Sequence, residues 1–562
     1  MKKSCMNWLI KNKVTICLLL LGTVFFVIYS WFFFSTTIDT VSSSGQHYIF
    51  SWPDAMSNNF FIHEYIEKNN FYKSEALNLQ LGNIIHPRST NVAAGGKIVP
   101  MSFLGMLIIY GWIGKFIGKF FVMFLTPFLA AAGAVFFFGL VKRIFNQTVA
   151  FISSILLFTL ASYWYYANLV MLPTILFVFL VICGMYFFVR QTEPDEKWRR
   201  AVFSGASGLL LGLAAITRST EVFWLAALIV IPLIYYWRRV KFYQVIIFLI
   251  CLLIPLAILL YYNQQIYGNY FTVGYLKINE SRGMLNRLPD ELAVNKGSQL
   301  FAYAKLLIAP FGFNKLSVWL NVKKYFIDFS WPYFLLFAIG AAAWVNKARQ
   351  KLAQRQLVYV ICSIVAGTWL IVYYGSWEFT DELVLRNNTI GSSYTRYWLP
   401  LTILILPMIG YLFDQLLKFK EYKKIFISAI VFFILGLSVF SFNQVYQTVG
   451  DGLFDQQKVI GKYQEQASGV ARLIEPDAIV INDRADKIFF PNYRVVMFNL
   501  DYSIFEKIKP VVGQVPIYYF TERPEIDINY INEKKINSLN LRLDNPQTID
   551  PQFQLYKLSQ IK

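Results

Sequence analysis

Apolar and polar residues fall in blocks along this chain. A tail carrying Lys2, Lys3, Lys11 and Lys13 precedes an apolar run from Val14 to Phe34. At about 20 residues the run is long enough to cross a bilayer as a helix, and no small-residue cleavage site follows it. It reads as a retained signal anchor with a cytoplasmic N-terminus. A long polar interval, 35–119, comes next. Ten further apolar blocks are Phe120–Leu140, Val149–Tyr165, Val170–Val189, Val202–Thr217, Val222–Trp237, Phe242–Tyr262, Pro332–Val345, Leu357–Tyr374, Leu399–Leu417 and Ile425–Phe442. Basic clusters such as Lys142–Arg143, Arg238–Arg239 and Lys423–Lys424 end alternate blocks, which is the positive-inside pattern. The blocks predict an all-α polytopic membrane protein of about eleven transmembrane helices over 1–442. Its outer loops are 35–119, 263–331 and 375–398.

Within the first loop, Pro53–Asn70 predicts a short helix with Phe60, Phe61 and Ile62 facing the membrane. Val99–Gly118 predicts an interfacial helix lying on the outer surface, which keeps the later basic clusters inside. From Asn443 hydropathy falls. Ala478–Ile481, Arg494–Phe498 and Pro516–Phe520 read as short strands between Asp, Asn and Pro turns. Residues 443–562 are therefore expected to form a small soluble α/β domain, extracytoplasmic if there are eleven spans.

Composition agrees with a membrane protein: 562 residues, 56% hydrophobic and only 15% charged, with mean hydropathy +0.46. The net charge of +19 does not imply nucleic acid, because the basic residues sit in short clusters between apolar runs; part of it suits anionic membrane lipids. The five cysteines lie in the basic tail or in apolar spans, so no disulfide is expected.

The candidate chemistry gathers in the first loop, which carries Asp54 on a Trp-Pro turn and, with the residues just before it, all three histidines, His47, His63 and His86. Asp54 has two readings: a general base acting on an acceptor hydroxyl or amine, or a helix N-cap. The histidines with Asp54 and Glu64 suggest a metal site, but their spacings match no compact ligand pattern. No metal or other cofactor is expected. Arg88 and Lys97 either clamp a phosphate or are solvated loop charge. Arg218, Glu221 and Arg396, beside Tyr397, lie at the outer ends of spans, where a cation either snorkels or holds a lipid phosphate. The sequence has no P-loop, dinucleotide fingerprint, HExxH or GxSxG. That argues against an ATP-driven pump, a zinc protease and a lipase-type hydrolase.

Several segments in order carry a family resemblance: Pro53-Asp54 in the first outer loop, HPRS at 86–89 with VPMSFLG at 99–105, YGNYFTVGY at 267–275, and TRYWLP at 395–400. Over about residues 1–440 the chain resembles the GT-C superfamily of membrane glycosyltransferases, in particular the protein O-mannosyltransferase and aminoarabinose transferase group. The resemblance implies inverting transfer of a sugar from a polyprenyl-phosphate donor to a protein, lipid or glycan acceptor on the outer membrane face of a cell envelope, in the plasma (inner) membrane. It implies that Asp54 is the base. Many relatives carry Asp-Glu there, whereas this chain has Ala55; either His63 or Glu64 substitutes or the second acid is dispensable. Oligosaccharyltransferases of the superfamily carry acidic metal ligands near the outer ends of spans 3 and 4, where this chain has Ala167-Asn168-Leu169-Val170. The expected donor-phosphate ligands are Arg396 with Arg218 or Arg88. One alternative is a ligase or polymerase moving a lipid-pyrophosphate-linked glycan. Another is a transporter of lipid-linked sugars, which would need repeated halves and mid-span ionisable residues.

Overall fold

The computed structural model describes residues 13–44, 49–272, 274, 312–349, 353–377 and 389–561. Among the described residues, eight helices are long and apolar enough to cross a membrane: Lys13–Thr36, Leu125–Ile144, Pro173–Arg190, Lys197–Thr217, Phe242–Tyr267, Gln354–Gly375, Leu399–Leu416 and Lys423–Gln447. Two further pairs are bent, Gln147–Thr159 with Ala161–Asn168 by 53° and Lys315–Asp328 with Trp331–Ala348 by 93°. The first bend falls at Leu160, whose backbone is extended; the second falls at Ser330, just before a helix with proline in its first turn. The count is therefore eight, or ten with each bent pair taken as one span, rather than eleven. The eleventh stretch is a helix of only 14 residues, Val222–Tyr235, carrying Pro232 near its end.

The chain divides into two compact units. The first comprises Met1–Phe32, Phe124–Ile258 and Leu288–Asp455. Its helices approach closely where small residues allow it. On helix Lys197–Thr217, a Cβ on Gly212 would stand 2.6 Å from the Leu252 carbonyl oxygen of helix Phe242–Tyr267, so nothing larger than glycine fits without moving a backbone.

The second unit comprises Phe33–Met123, Leu259–Arg287 and Gln456–Lys562; the first outer loop clusters with the C-terminal segment. Strands β1 (Lys73–Ser74), β2 (Thr90–Ala93) and β3 (Lys97–Pro100) form an antiparallel sheet in the order β1-β3-β2, with Asn91 opposite Val99. The interfacial helix expected from Val99 begins instead at Leu104, because 97–100 pairs as a strand. Phe60, Phe61 and Ile62, expected to face the membrane, are buried in this unit; Phe60 packs 4.7 Å from Phe490.

The C-terminal segment supplies β4 (Ile479–Asn482), β5 (Arg494–Met497), β6 (Ile517–Thr521), β7 (Leu541–Thr548) and β8 (Gln554–Gln560), in sheet order β5-β4-β6-β8-β7. β4 runs parallel to both neighbours. The first loop completes this sheet: Ile85 bridges to Val496, and Leu81 and Ile85 share a core with Ile479, Ile481, Phe498 and Tyr519.

Candidate active site

Helix Pro53–Lys68 starts where its sequence dictates. Trp52 is extended, as a residue before proline must be, and Pro53 fills the first turn, where its missing N–H costs nothing. The helix stops at Asn69 in the left-handed conformation, its N–H donating to the Tyr65 carbonyl at 3.0 Å. The position before the helix is Trp52 and makes no side-chain cap bond, so Asp54 is not an N-cap. It sits in the first turn and accepts a hydrogen bond from the Ser89 hydroxyl at 2.5 Å.

Ser89 belongs to the turn that follows His86. Its φ is 60°, a region in which serine is uncommon. The Ser57 hydroxyl donates to the Ser89 carbonyl at 2.9 Å, and the Thr90 hydroxyl donates to the Pro87 carbonyl at 2.7 Å. Arg88, between them, is held from the C-terminal segment. Its backbone N–H donates to Asp486 Oδ2 at 2.8 Å, its Nε to Oδ1 at 2.8 Å and its Nη2 to the Arg484 carbonyl at 2.6 Å. Asp486 is fully buried. Next to it, the Lys487 ammonium donates to the Ser51 carbonyl at 2.7 Å and lies 4.7 Å from the Tyr463 ring centre. Burial, then the neighbouring Arg88, pull its pKa down to about 8, against the pull of Asp486.

The other first-loop candidates are placed apart from this turn or are already engaged. Glu64 pairs with Lys68 at 2.9 Å. His86 Nδ1 lies 3.1 Å from the Pro87 carbonyl. The Lys97 ammonium lies 4.4 Å from the Tyr72 ring centre, and the Arg88 guanidinium is committed to Asp486. His63 lies on helix Pro53–Lys68. His47 lies outside the described residues. Among the described residues no three His, Cys, Asp or Glu side chains gather in a group able to hold a metal ion. Two resemblance segments do meet: the Tyr267 hydroxyl donates to the Pro100 carbonyl at 2.7 Å, and a Cβ on Gly274 would stand 2.5 Å from the Met101 carbonyl oxygen.

The first unit holds a separate cluster. Arg218 and Glu221 pair at 2.7 Å and are almost fully buried. Glu221 also accepts from the Tyr374 hydroxyl at 2.6 Å and from Trp224 Nε1 at 2.5 Å. Tyr374 stacks on Tyr397, with ring centres 4.5 Å apart and planes within 7°. The same Tyr397 ring lies 5.0 Å from the Arg218 guanidinium carbon and 4.9 Å from that of Arg396, and Arg396 Nη2 donates to the Tyr397 hydroxyl at 3.0 Å. Two guanidinium groups thus flank one Tyr397 ring, one of them paired with Glu221, and the buried Arg218 Nη1 has no hydrogen-bond partner among the described residues.

An apolar groove in this unit reaches the cluster. One part, with an open volume of about 530 Å³, is lined by Phe177, Trp224, Pro400 and Ile403 among others. It shares Leu140, Met185, Leu228, Tyr359 and Leu404 with a second part of about 700 Å³ that extends to Tyr236 and Arg355. Trp224 bonds Glu221, and the Phe177 ring centre is 5.5 Å from the Arg218 guanidinium carbon. Sequence reasoning found Arg218, Glu221, Arg396 and Tyr397 by their places at span ends. It missed Asp486, Lys487 and Tyr374, and it passed over Ser89 within the HPRS turn; Asp486 and Lys487 sit in a charged stretch, Asp483-Arg484-Ala485-Asp486-Lys487, where no local pattern sets them apart.

No protein-family model matches the chain, and no curated protein matches it by sequence. Solved structures share its fold. ArnT from Cupriavidus metallidurans, bound to undecaprenyl phosphate, aligns with a TM-score of 0.53 at 11% identity, over 97% of this chain and 98% of that one. The archaeal oligosaccharyltransferase AglB from Archaeoglobus fulgidus, in complex with an inhibitory peptide and a dolichol-phosphate, aligns at 0.52 and 9% identity, over 93% of this chain and 71% of that one. Both are GT-C membrane glycosyltransferases, and the GT-C fold expected from the resemblance is the fold of this chain.

Proposed function

We propose that this chain, a membrane protein with the fold of the GT-C glycosyltransferases, transfers a sugar from a polyprenyl-phosphate donor to an acceptor with inversion at the anomeric carbon. The observation that carries the reading is an apolar groove whose Trp224 and Phe177 contact the Arg218–Glu221 pair, with the Arg396 guanidinium on the same Tyr397 ring as Arg218. That combination suits a lipid tail with a phosphate head. In this reading Arg218 and Arg396 hold the phosphate, while the Arg88 guanidinium is bonded to Asp486. As the bond from the anomeric carbon to the phosphate oxygen breaks, its electron pair leaves with the phosphate, and the cations stabilise the growing charge. Asp54 takes the proton of the acceptor hydroxyl or amine as that group attacks from the opposite face. The protein works without a metal in this reading: Glu64 and Asp486, two acids near the histidine-bearing helix and turn, are each bound to a basic side chain.

The test is sugar transfer by detergent-purified protein from synthetic polyprenyl-phosphate sugars, wild type beside Asp54→Asn, with and without EDTA. Wild type should transfer or hydrolyse the donor, EDTA should leave the rate unchanged, and Asp54→Asn should lose about 100-fold or more. A variant keeping more than about a tenth of the wild-type rate sinks the base assignment, and loss with EDTA sinks the metal-free mechanism. Activity with lipid-pyrophosphate-linked glycans alone would make the protein a glycan ligase, a reaction to which the fold shared with AglB is equally suited.

A further inference from the structure

Ser89, from the HPRS turn, donates its hydroxyl to Asp54, and it stands in a backbone conformation that L-residues rarely adopt. A single strained residue persists only when its surroundings over-determine it, and such residues concentrate at working sites. Here the restraints are visible. Ser57 donates to the Ser89 carbonyl, Thr90 closes the turn onto Pro87, and Met101 donates its N–H to the same Ser89 carbonyl at 3.3 Å. The strongest hold is on the preceding residue. Both oxygens of the buried Asp486 carboxylate grip Arg88, one through its backbone N–H and one through its guanidinium. A charged acceptor bonded to the backbone at one atom and to the side chain at another fixes the peptide plane as well as the residue. The plane so fixed is the Pro87–Arg88 peptide, and with the Arg88 side chain also held it sets the residue from which the chain enters Ser89.

We propose that Asp486 is a positioning residue for the reaction: through Arg88 it holds Ser89 in the left-handed conformation that aims the Ser89 hydroxyl at the Asp54 carboxylate. The proposal rests on Asp54 being the base. A carboxylate can turn about its side-chain bonds. The hydroxyl at 2.5 Å fixes one oxygen, and so fixes the direction in which the other presents its lone pairs to an acceptor. A second strut from the neighbouring residue acts on the other flank, where Lys487 holds the Ser51 carbonyl three residues before Asp54. The C-terminal segment thus clasps the base from both sides in sequence, at 51 and at 88. The inference concerns orientation, so it predicts loss of turnover without loss of donor binding.

Ser89→Gly separates orientation from structure, because glycine adopts the left-handed conformation freely while losing the hydroxyl. Its melting temperature should equal or exceed that of wild type. Its kcat should fall about ten- to a hundred-fold, the scale of a misplaced catalytic group, with donor KM within about twofold. Asp486→Asn, which keeps the shape but weakens the grip on Arg88, should lower kcat similarly. The double variant should be no slower than the worse single one, because both act through one chain of contacts. Ser89→Gly with wild-type kcat overturns the proposal, as do losses that multiply in the double variant. In the Asp54→Asn background neither change should slow the residual rate further. If Asp54→Asn itself stays active, the base reading fails; if it is inactive while Ser89→Gly turns over normally, only the positioning role fails.

Discussion

Lys487→Met tests the buried ammonium beside Asp486. The free lysine side chain loses its proton near 10.5, whereas burial and Arg88 bring Lys487 down to about 8. The folded state therefore binds this proton more weakly than the unfolded chain does. Below about pH 8 both states carry the charge, and the folded protein bears the full cost of burying it. Between about 8 and 10.5 the folded state is neutral while the unfolded chain is still protonated, so stability rises with pH across that window. The difference of about 2.5 pH units corresponds to about 3 kcal/mol. Methionine fills a similar volume without charge, but it loses the hydrogen bond to the Ser51 carbonyl, worth about 1 kcal/mol. The net gain at pH 7 should be about 2 kcal/mol, or a melting temperature about 4–8 °C higher for a unit of this size. Measured by thermal unfolding in detergent at pH 7 and pH 10, the advantage of the variant should shrink at the higher pH. The difference between the two proteins cancels every other titrating group. Parallel curves, with a constant offset between pH 7 and 10, would refute the argument that Lys487 is held against its own charge.

Arg218→Met should leave Glu221 buried without its cation and should raise the donor KM at least about tenfold, in steady-state transfer with synthetic donor; an unchanged KM would remove Arg218 from the phosphate site. Ile85→Ala should cost about 2–5 kcal/mol, and hydrogen exchange should show β4 and the first outer loop losing protection together. Exchange that rises in the loop alone would mean the two do not share a core.

The membrane part of the fold was largely legible in the sequence, because an apolar run of about 20 residues carries its own signal. The breaks were not. Leu160 extends the chain inside an unbroken apolar block, so hydropathy passes through it without a mark; before Ser330, Lys315, Lys323, Lys324 and Asp328 make helix Lys315–Asp328 read as part of an outer loop. Helix 53–68 could be read from Trp52-Pro53-Asp54, where proline and an acid mark a first turn. Strands of two to four residues, such as Lys73–Ser74 and Lys97–Pro100, are too short for alternation to show. β7 was hidden by Asn545-Pro546, which reads as a turn. At the site, a lone acid near a membrane and arginines at span ends were visible as residue types. The contacts that orient Asp54 were not, because Asp486 lies about 400 residues from Arg88 and no local pattern ties them together.

The shared core of Leu81, Ile85 and the C-terminal sheet also sets a clock on biosynthesis. About 390 residues separate Ile85 from Ile479 in the chain. At synthesis rates of about 5–20 residues per second, the ribosome needs roughly 20–80 s to travel that distance. Through that interval the nascent first loop has neither β4 to pack against nor Asp486 to hold Arg88. The base is therefore fully dressed only when the last part of the polypeptide has been made, and an abandoned or truncated chain inserts its helices without ever assembling that turn.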